Sequence, residues 1–500
     1  MPQTRTLRSI SAVLGTASLV ALLSLSAGPA IAADAPWSTP VEVADAYGDA
    51  NATVVAPDGT ITVVSESANG IVASSSTDAG LTWGPSALVG SGGDYAFRPA
   101  VGVTSSGLLA AAWVESLSSV RSIHVAVSAD KGATWTTPET LPTVSSEMDD
   151  PVIASTSATG FTIVWNEGFD KYSSISVDSG ATWSAAQVIT QNLNSYGSAS
   201  LAPTGGGEIV VVFQEFDGNT ARYSIQSERS TDGGATWGAK VPAGSDWSGS
   251  LGNGLYSFGV SPADGTLVAV WGRGTAGGDA LFATTSTDGG ASWAPQFGIG
   301  EESGYLRYFT VRAISSTAVG VVWHYETADG AILSYSTVTV GAGEATPPVT
   351  IATSPTHGFD GLPAFSALGD VRVASWFDFS ESRETAGLRT SVSCDAGATW
   401  SAPAVLAIGS DVARRHAQTT VSSGTFAAYW GQDTAGPSGQ SLYASTLSGA
   451  CGAAKPILAA TGAPIVPTAI LALVMLGLGA GLLVVRRRSK TATRNTITAA

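Results

Sequence analysis

Between residues 37 and 451, the chain is a succession of short apolar runs, each followed by residues typical of turns. One stretch shows the order clearly: PAVGV (99–103), LLAAAW (108–113), IHVAVS (123–128) and TTPETL (136–141). The β-branched residues and near-alternation predict strands, and the short connections predict that neighbouring strands are antiparallel. The pattern therefore indicates an all-β fold of repeated four-stranded sheets.

An eight-residue pattern, Ser-x-Asp-x-Gly-x-x-Trp, recurs six times, each time between the third and fourth runs of a unit. Its aspartates are Asp78, Asp130, Asp178, Asp232, Asp288 and Asp395. This pattern resembles the Asp-box, or BNR repeat, which is found in sialidases and many other β-propellers. A period near 50 residues with four strands per unit is typical of a propeller blade. We therefore expect a single β-propeller.

The spacing of the repeat predicts how many blades there are. Successive box aspartates lie 52, 48, 54, 56 and 107 residues apart, so the last gap has room for a unit whose box is degraded. A second series of aromatic residues closes the second run of most units, namely Trp113, Trp165, Phe213, Trp271, Trp323, Trp376 and Trp430. Both series indicate about eight blades, with seven as the alternative if the sixth unit is irregular.

The ring is expected to close by a strand borrowed from the start of the chain. The last unit, from about residue 416 to residue 446, has three runs and no fourth. Residues 37–43 (WSTPVEV) resemble the fourth run of the preceding unit, WSAPAVL at 400–406. Pairing of the two ends would leave no long open sheet edge. The propeller is accordingly predicted to span residues 34–452.

The residues of the box are predicted to serve folding. A short Asp side chain accepts hydrogen bonds from turn amides, Gly permits a positive φ, and Trp buries a large ring. The same residues recur in six units, whereas a catalytic site is a single place. Cys394 lies inside the last box and Cys451 at the matching end of the eighth unit, so a disulfide between them is expected in an oxidising compartment.

The two ends of the chain predict export and anchoring. Residues 1–33 have a positive start, an apolar core and an Ala-Ile-Ala cleavage pattern, and are interpreted as a signal peptide. Residues 465–485 are long and apolar enough to form a transmembrane helix, and the basic segment 486–500 follows as a cytoplasmic tail. An uncleaved N-terminal anchor is the alternative at the first end.

A short linker, 453–464, precedes the apolar span and contains Leu-Ala-Ala-Thr-Gly at 458–462. With the span and basic tail it resembles a sortase sorting signal of the LAxTG type. That resemblance implies cleavage between Thr461 and Gly462 and attachment to peptidoglycan or a pilin. The alternative is an ordinary single-pass anchor. Either way, the predicted location is the cell wall or cell surface, with membrane anchoring before sorting.

Composition narrows the possible partners. The formal net charge is −16, only 12% of residues are charged, and no basic stripe is present, which argues against nucleic acid as a ligand. The four histidines fall in different units without a second ligand at a suitable spacing, so no metal site and no cofactor are predicted.

A binding site is expected at the channel mouth, where the first strands begin and the second strands end. Three arginines there, Arg98, Arg307 and Arg415, could hold a carboxylate. Sialidases use three arginines in this way with a Tyr–Glu pair and an acidic Asp, and the resemblance makes Tyr305, Glu215 and Asp149 the corresponding candidates. Phe97-Arg98-Pro99 partly resembles the sialidase Phe-Arg-Ile-Pro motif, but lacks its Ile and follows the first box. The alternative interpretation is that these are rim charges paired with one another.

Three functions are compatible with the sequence. The first is a surface protein that binds a glycan or a protein ligand at the channel mouth. The second is a sialidase-like exo-glycoside hydrolase, and the third is a structural component of the wall or a pilus. A shared fold does not decide between them.

Overall fold

The predicted four-strand repeats are present as eight antiparallel sheets in a computed structural model. The structure describes residues 37–47, 51–91, 93–142, 148–191, 199–248, 265–275, 278–301, 304–327, 329–354, 358–379, 386–409, 412, 418–434 and 436–451. The predicted signal peptide, linker, transmembrane helix, basic tail and cleavage site all lie outside these residues. Within them, no helix has the length and apolar character needed to cross a membrane.

The first four blades follow one another along the chain, each with its strands hydrogen-bonded in chain order. Blade 1 has β2 (Asn51–Val55), β3 (Ile61–Ser67), β4 (Gly70–Ser76) and β5 (Ala87–Gly90). Blade 2 has β6 (Tyr95–Val103), β7 (Leu109–Leu117), β8 (Val120–Ser128) and β9 (Glu139–Thr140). Blade 3 has β10 (Met148–Ser155), β11 (Phe161–Glu167), β12 (Asp170–Ser176) and β13 (Gln187–Thr190). Blade 4 has β14 (Ser200–Gly205), β15 (Glu208–Asp217), β16 (Arg222–Ser230) and β17 (Val241–Ser248).

The next three blades continue the same order. Blade 5 has three strands in the described residues, β18 (Leu267–Thr275), β19 (Gly278–Ser286) and β20 (Phe297–Glu301). Blade 6 has β21 (Tyr305–Ser315), β22 (Ala318–Thr327), β23 (Gly330–Thr339) and β24 (Val349–Ser354). Blade 7 has β25 (Phe359–Leu368), β26 (Val371–Phe379), β27 (Ala386–Ser393) and β28 (Ala404–Gly409).

Blade 8 closes the ring as predicted. It combines β29 (Gln418–Ser422), β30 (Thr425–Asp433) and β31 (Gln440–Ser448) with β1 (Val41–Ala44) from the start of the chain. In β1, Val41 pairs with Ala444 and Glu42 with Tyr443, both in antiparallel register. The eight-blade prediction is therefore confirmed, and the sixth unit is a regular blade in spite of its degraded box.

The core lies between neighbouring blades. The six tryptophans of the second strands lie inside those strands rather than at their ends, and each is at most 1% exposed. Trp113, for example, packs against Val64 and Ile71 of blade 1. A Cβ added to Gly90 would lie 2.3 Å from the Trp113 ring, so only glycine permits this close approach. Burial of large rings between sheets therefore holds adjacent blades side by side.

Candidate functional site

The box closes a hydrogen-bonded turn on itself. Ser76 Oγ donates to Asp78 Oδ1 at 2.8 Å and accepts the Gly80 amide at 2.8 Å. The Thr82 amide and hydroxyl donate to the two oxygens of Asp78 at 2.9 and 2.5 Å. Gly80 has a φ of 91°, which glycine adopts without strain. Both carboxylate oxygens are thus engaged in holding the turn.

The same bonds recur at the other box aspartates, Asp130, Asp178, Asp232, Asp288 and Asp395. Hydrogen bonds from the Thr182 hydroxyl and amide and from Ser176 lower the pKa of Asp178 to about 2. An aspartate that is ionised and fully bonded is a poor proton donor at neutral pH. This geometry supports the folding role expected for the box.

The charged side chains at the channel mouth are largely paired within their own blades. Lys240 Nζ lies 2.6 Å from Glu215 Oε1 in blade 4. Arg389 Nε lies 2.7 Å from Asp378 Oδ2 in blade 7. The carboxylate in both pairs stands two residues after the recurring aromatic residue of the second strand, near the end of that strand. The rim is therefore a set of local ion pairs rather than a ring of free carboxylates.

Arg307 of blade 6 is also occupied. Its Nε and Nη2 atoms lie 2.8 and 2.5 Å from Glu326 Oε2. Tyr305 stands opposite Glu326 in the backbone register and is 71% exposed. To bind a ligand carboxylate, Arg307 would have to break its ion pair with Glu326. The loss of that pair would offset much of the favourable free energy of binding.

The structure places the remaining candidates apart. Arg98 is exposed at a bulge of β6 in blade 2 and has a φ of 55°. Three blades separate blade 2 from blade 6 on either side, so Arg98 and Arg307 stand on opposite sides of the channel. Asp149 pairs through its backbone with Asn166, and its side chain is not among the described parts of the structure. Arg415 lies outside the described residues. Two of the three predicted arginines are thus placed, and they do not converge.

A cavity of about 630 Å³ lies between the innermost strands of four blades. Its walls come from β2, β21, β25 and β29, which belong to blades 1, 6, 7 and 8. The residues that line it are Asn51, Ala52, Thr53, Val55, Thr310, Arg312, Ala313, Leu362, Pro363, Ala364, Phe365, Ser366, Ala367, Gln418, Thr419, Thr420 and Val421. Closure of the ring brings these strands together from widely separated parts of the chain.

Hydrogen bonds between blades fix much of the polar wall. The Gln418 side chain of blade 8 donates to the Asn51 carbonyl at 2.8 Å and accepts the Thr53 hydroxyl at 3.1 Å. Ser366 and Thr419 share a hydroxyl–hydroxyl bond of 2.8 Å between blades 7 and 8. These bonds hold the cavity open in one shape, which favours binding without rearrangement.

Arg312 is the charged residue among the described residues of the cavity wall, and it was not one of the predicted site residues. Its side chain is exposed to the cavity, and Nη1 donates to the neighbouring Val311 carbonyl at 3.1 Å. Burial within the ring lowers its pKa from the ordinary arginine value, although arginine stays protonated at neutral pH. One signal was available: Arg312 interrupts the apolar first run of the sixth unit, FTVRAIS.

Two buried groups with shifted pKa values lie away from the cavity. Burial raises the pKa of Glu228 in β16 to about 7, against opposing effects of Lys240 and Thr190. Burial, helped by the charge of Arg307, lowers the pKa of His324 in β22 to about 3. Neither residue lines the cavity. In the described part of the chain there is also no group of three or more His, Cys, Asp or Glu placed to hold a metal ion.

The two cysteines form a disulfide with a Cα–Cα distance of 5.6 Å. Cys394 follows β27 of blade 7, and Cys451 follows β31 of blade 8. The bond therefore joins the last two blades on the box face, beside the seam where β1 closes the ring.

No protein-family model matches the sequence, and no curated protein matches it. Among solved structures, an ulvan lyase of polysaccharide lyase family PL25 is similar over 68% of this chain and 92% of its own, with 13% identity and a TM-score of 0.45. A protein of unknown function from Dyadobacter fermentans covers 83% of this chain and 98% of its own, with 13% identity and a TM-score of 0.42. A sialidase from Streptococcus pneumoniae covers 58% and 67%, with 12% identity and a TM-score of 0.38. Similarity at this level does not indicate what the present chain binds.

Proposed function

We propose that this protein is exported, anchored at the cell surface, and binds a glycan in its central channel. The observation that carries the proposal is the cavity of about 630 Å³ between the inner strands of four blades. Pockets of roughly 300–1,000 Å³ are typical of small-molecule sites. The volume suits a short glycan, whereas a protein ligand would contact only the mouth.

The chemistry of the wall suits a ligand rich in hydroxyl groups. The wall includes the hydroxyl residues Thr310 and Thr420 and the amide residues Asn51 and Gln418, and both kinds of group donate and accept hydrogen bonds. The Thr420 hydroxyl also shares a bond of 2.9 Å with the Tyr429 hydroxyl. Leu362 and Phe365 add apolar surface on one side. A sugar offers the same mixture of hydroxyls and C–H faces, so wall and ligand are complementary.

Binding is favoured over hydrolysis by the position of the carboxylates. Glycoside hydrolysis commonly requires two carboxyl groups about 5–10 Å apart around the scissile bond. Among the described residues that line the cavity there is no Asp or Glu. The rim carboxylates Glu215, Glu326 and Asp378 are each bound to a cation of their own blade. A sialidase-like hydrolase is therefore the alternative, and a structural wall or pilus component the second.

Anchoring is proposed from the sequence of the C-terminal segment. Leu-Ala-Ala-Thr-Gly at 458–462, the apolar span 465–485 and the basic tail form the order that a sortase signal requires. In this proposal a sortase joins Thr461 to peptidoglycan or a pilin. Mass spectrometry of wall fragments tests it: Thr461 should be the C-terminal residue, and an unchanged C-terminus compared with a sortase-deficient strain would refute it.

A glycan array with the full chain tests the proposed binding. Ala313 lines the cavity and is exposed to it, so Ala313→Trp should fill the space and abolish the glycan signals. Ala402→Trp, on an exposed loop between β27 and β28 that does not line the cavity, is the matched control and should bind normally. Glycan binding that survives Ala313→Trp would rule out the channel. Release of a fluorogenic sugar from a sialoside would favour the hydrolase, and an array without signals would favour the structural role.

A further inference from the structure

We propose that Arg312 makes the channel an oxyanion site, so that the ligand carries a carboxylate, sulfate or phosphate group. This inference rests on the proposed binding in the channel and adds the chemical class of the ligand. Arg312 is the eighth of the eleven residues of β21, counted from Tyr305 at the mouth, and it lines the cavity in the channel.

Three arginines have carboxylate partners, whereas Arg312, like Arg372, contacts only backbone carbonyls among the described residues. Arg312 differs from Arg372 in lining the cavity. Arg307, Arg229 and Arg389 are bound to carboxylates of their own blades at 2.5–2.7 Å. Acidic residues outnumber basic ones in this chain, 39 to 23, so a carboxylate partner is easily supplied. Among the described residues, Arg312 has only the Val311 carbonyl as a hydrogen-bond partner and no ion pair. Its remaining N–H groups are available to the cavity.

The surroundings strengthen the attraction for an anion. Inner strands enclose Arg312, and burial lowers its pKa because the charged form is partly removed from water. A charge in such a place is stabilised by a counterion that reaches it, and a narrow channel concentrates its field. Rim pairs such as Arg307–Glu326 are locally neutral, so they leave a small oxyanion able to reach Arg312.

The geometry of the donors selects an oxyanion over a halide. The guanidinium group presents parallel N–H bonds that match two oxygens of one carboxylate, sulfate or phosphate. Thr310 lies two residues earlier in β21, so its side chain is on the same side of the strand and also lines the cavity. A hydroxyl beside the guanidinium offers a further donor to the same anion.

The site has two possible sources of its ligand, a free inorganic ion and the acidic group of a glycan. Titration of the full chain with sulfate, phosphate, glucuronate and glucose at constant ionic strength distinguishes them. We expect glucuronate to bind and raise the melting temperature, with glucose much weaker. Sulfate binding alone would mean a site for free ions.

Substitution of Arg312 tests the assignment directly. Loss of a charged hydrogen bond predicts that Arg312→Gln weakens oxyanion binding by about tenfold or more, while Arg312→Lys keeps part of it. Arg229→Gln removes an arginine of blade 4 that is paired with Glu208 outside the cavity, and should bind as the wild type does. Equal affinity in wild type and Arg312→Gln would overturn the inference. If Arg312→Gln does not fold, Ala313→Trp must abolish the oxyanion signal instead.

The two proposals fail in different ways. Suppose that the wild type binds neutral glycans, that Ala313→Trp abolishes this binding, and that no oxyanion binds. This result would refute the oxyanion site and leave the proposed glycan binding in the channel intact. Suppose instead that the wild type binds oxyanions, that Arg312→Gln does not, and that no glycan binds. This result would refute the glycan function and leave Arg312 as a site for a free ion. No binding of either kind would reject both.

Discussion

The indole nitrogen of Trp237 donates a hydrogen bond of 2.9 Å to the hydroxyl of Ser173. Trp237 belongs to the box of blade 4, and Ser173 is a fully buried residue in the third strand of blade 3. The Ser173 hydroxyl in turn donates to the Gly234 carbonyl at 3.3 Å. The box tryptophan therefore does more than close its own hairpin, because it joins its blade to the preceding one.

This contact predicts how a box contributes to stability. Trp237→Phe keeps a large ring but removes the N–H group, and should lower the free energy of unfolding by about 1 kcal/mol. Ser173→Ala should cost a similar amount, and the double variant less than the sum of the two. Urea denaturation of all four proteins measures the coupling. Strictly additive losses would contradict a direct bond between the blades.

Closure by the first strand predicts a second effect. Val43 of β1 is 4% exposed and packs in a cluster with residues of blades 1 and 8. Val43→Asp would place a charge in that apolar contact and should lower the melting temperature markedly and expose the β31 edge to proteases. Thr39→Asp, four residues earlier and exposed, is the control. Equal stability of the two variants would argue against closure by β1.

The disulfide should stabilise the closing seam. Cys394 and Cys451 are 57 residues apart, and a crosslink of this kind commonly contributes about 2–4 kcal/mol. We expect Cys394→Ala and Cys451→Ala to lose equal stability, and reduction of the wild type to lose the same amount. Urea denaturation with and without a reductant tests this. If a reductant lowers the free energy of unfolding of either variant further, its effect on the wild type does not come only from breaking this disulfide.

Glu228 predicts a pH dependence at neutral pH. Burial raises its pKa to about 7 from an ordinary 4.5, so between these values the folded state binds a proton that the unfolded state has released. Stability should therefore fall as pH rises from about 4.5 to about 7, and level off above that. Glu228→Gln removes this slope and should be more stable by about 1–3 kcal/mol above pH 7, since solvent screening reduces the effect of the charge.

The control for this prediction is Glu344→Gln, an exposed carboxylate in blade 6 that should keep the wild-type slope. Denaturation midpoints from pH 4 to pH 8 provide the comparison. A wild-type slope retained in Glu228→Gln would show that another group titrates in this range.

The blade count and the closure were predictable because both depend on local patterns that repeat. The box supplies its own turn through Ser76, Asp78 and Thr82, so its conformation is set within seven residues. The second-strand tryptophans occupy equivalent places in each unit, and β1 was identified by its likeness to a fourth strand. The degraded sixth box did not disturb blade 6, since strand pairing such as Val321 with Ser336 does not depend on it.

The site depended on relationships that the sequence does not contain. Arg307 could be placed at the rim from the strand pattern, but its pairing with Glu326 follows from the side-chain geometry of two adjacent strands. Arg312 faces a cavity only because the ring brings β21 together with strands from blades 1, 7 and 8. Sequence alone thus determined the repeat and the closure and limited the blade number to seven or eight, because these features arise from short-range hydrogen bonds and periodic burial. Tertiary structure decided which charges are neutralised and which charge faces the cavity, because that depends on distances between residues far apart in the chain.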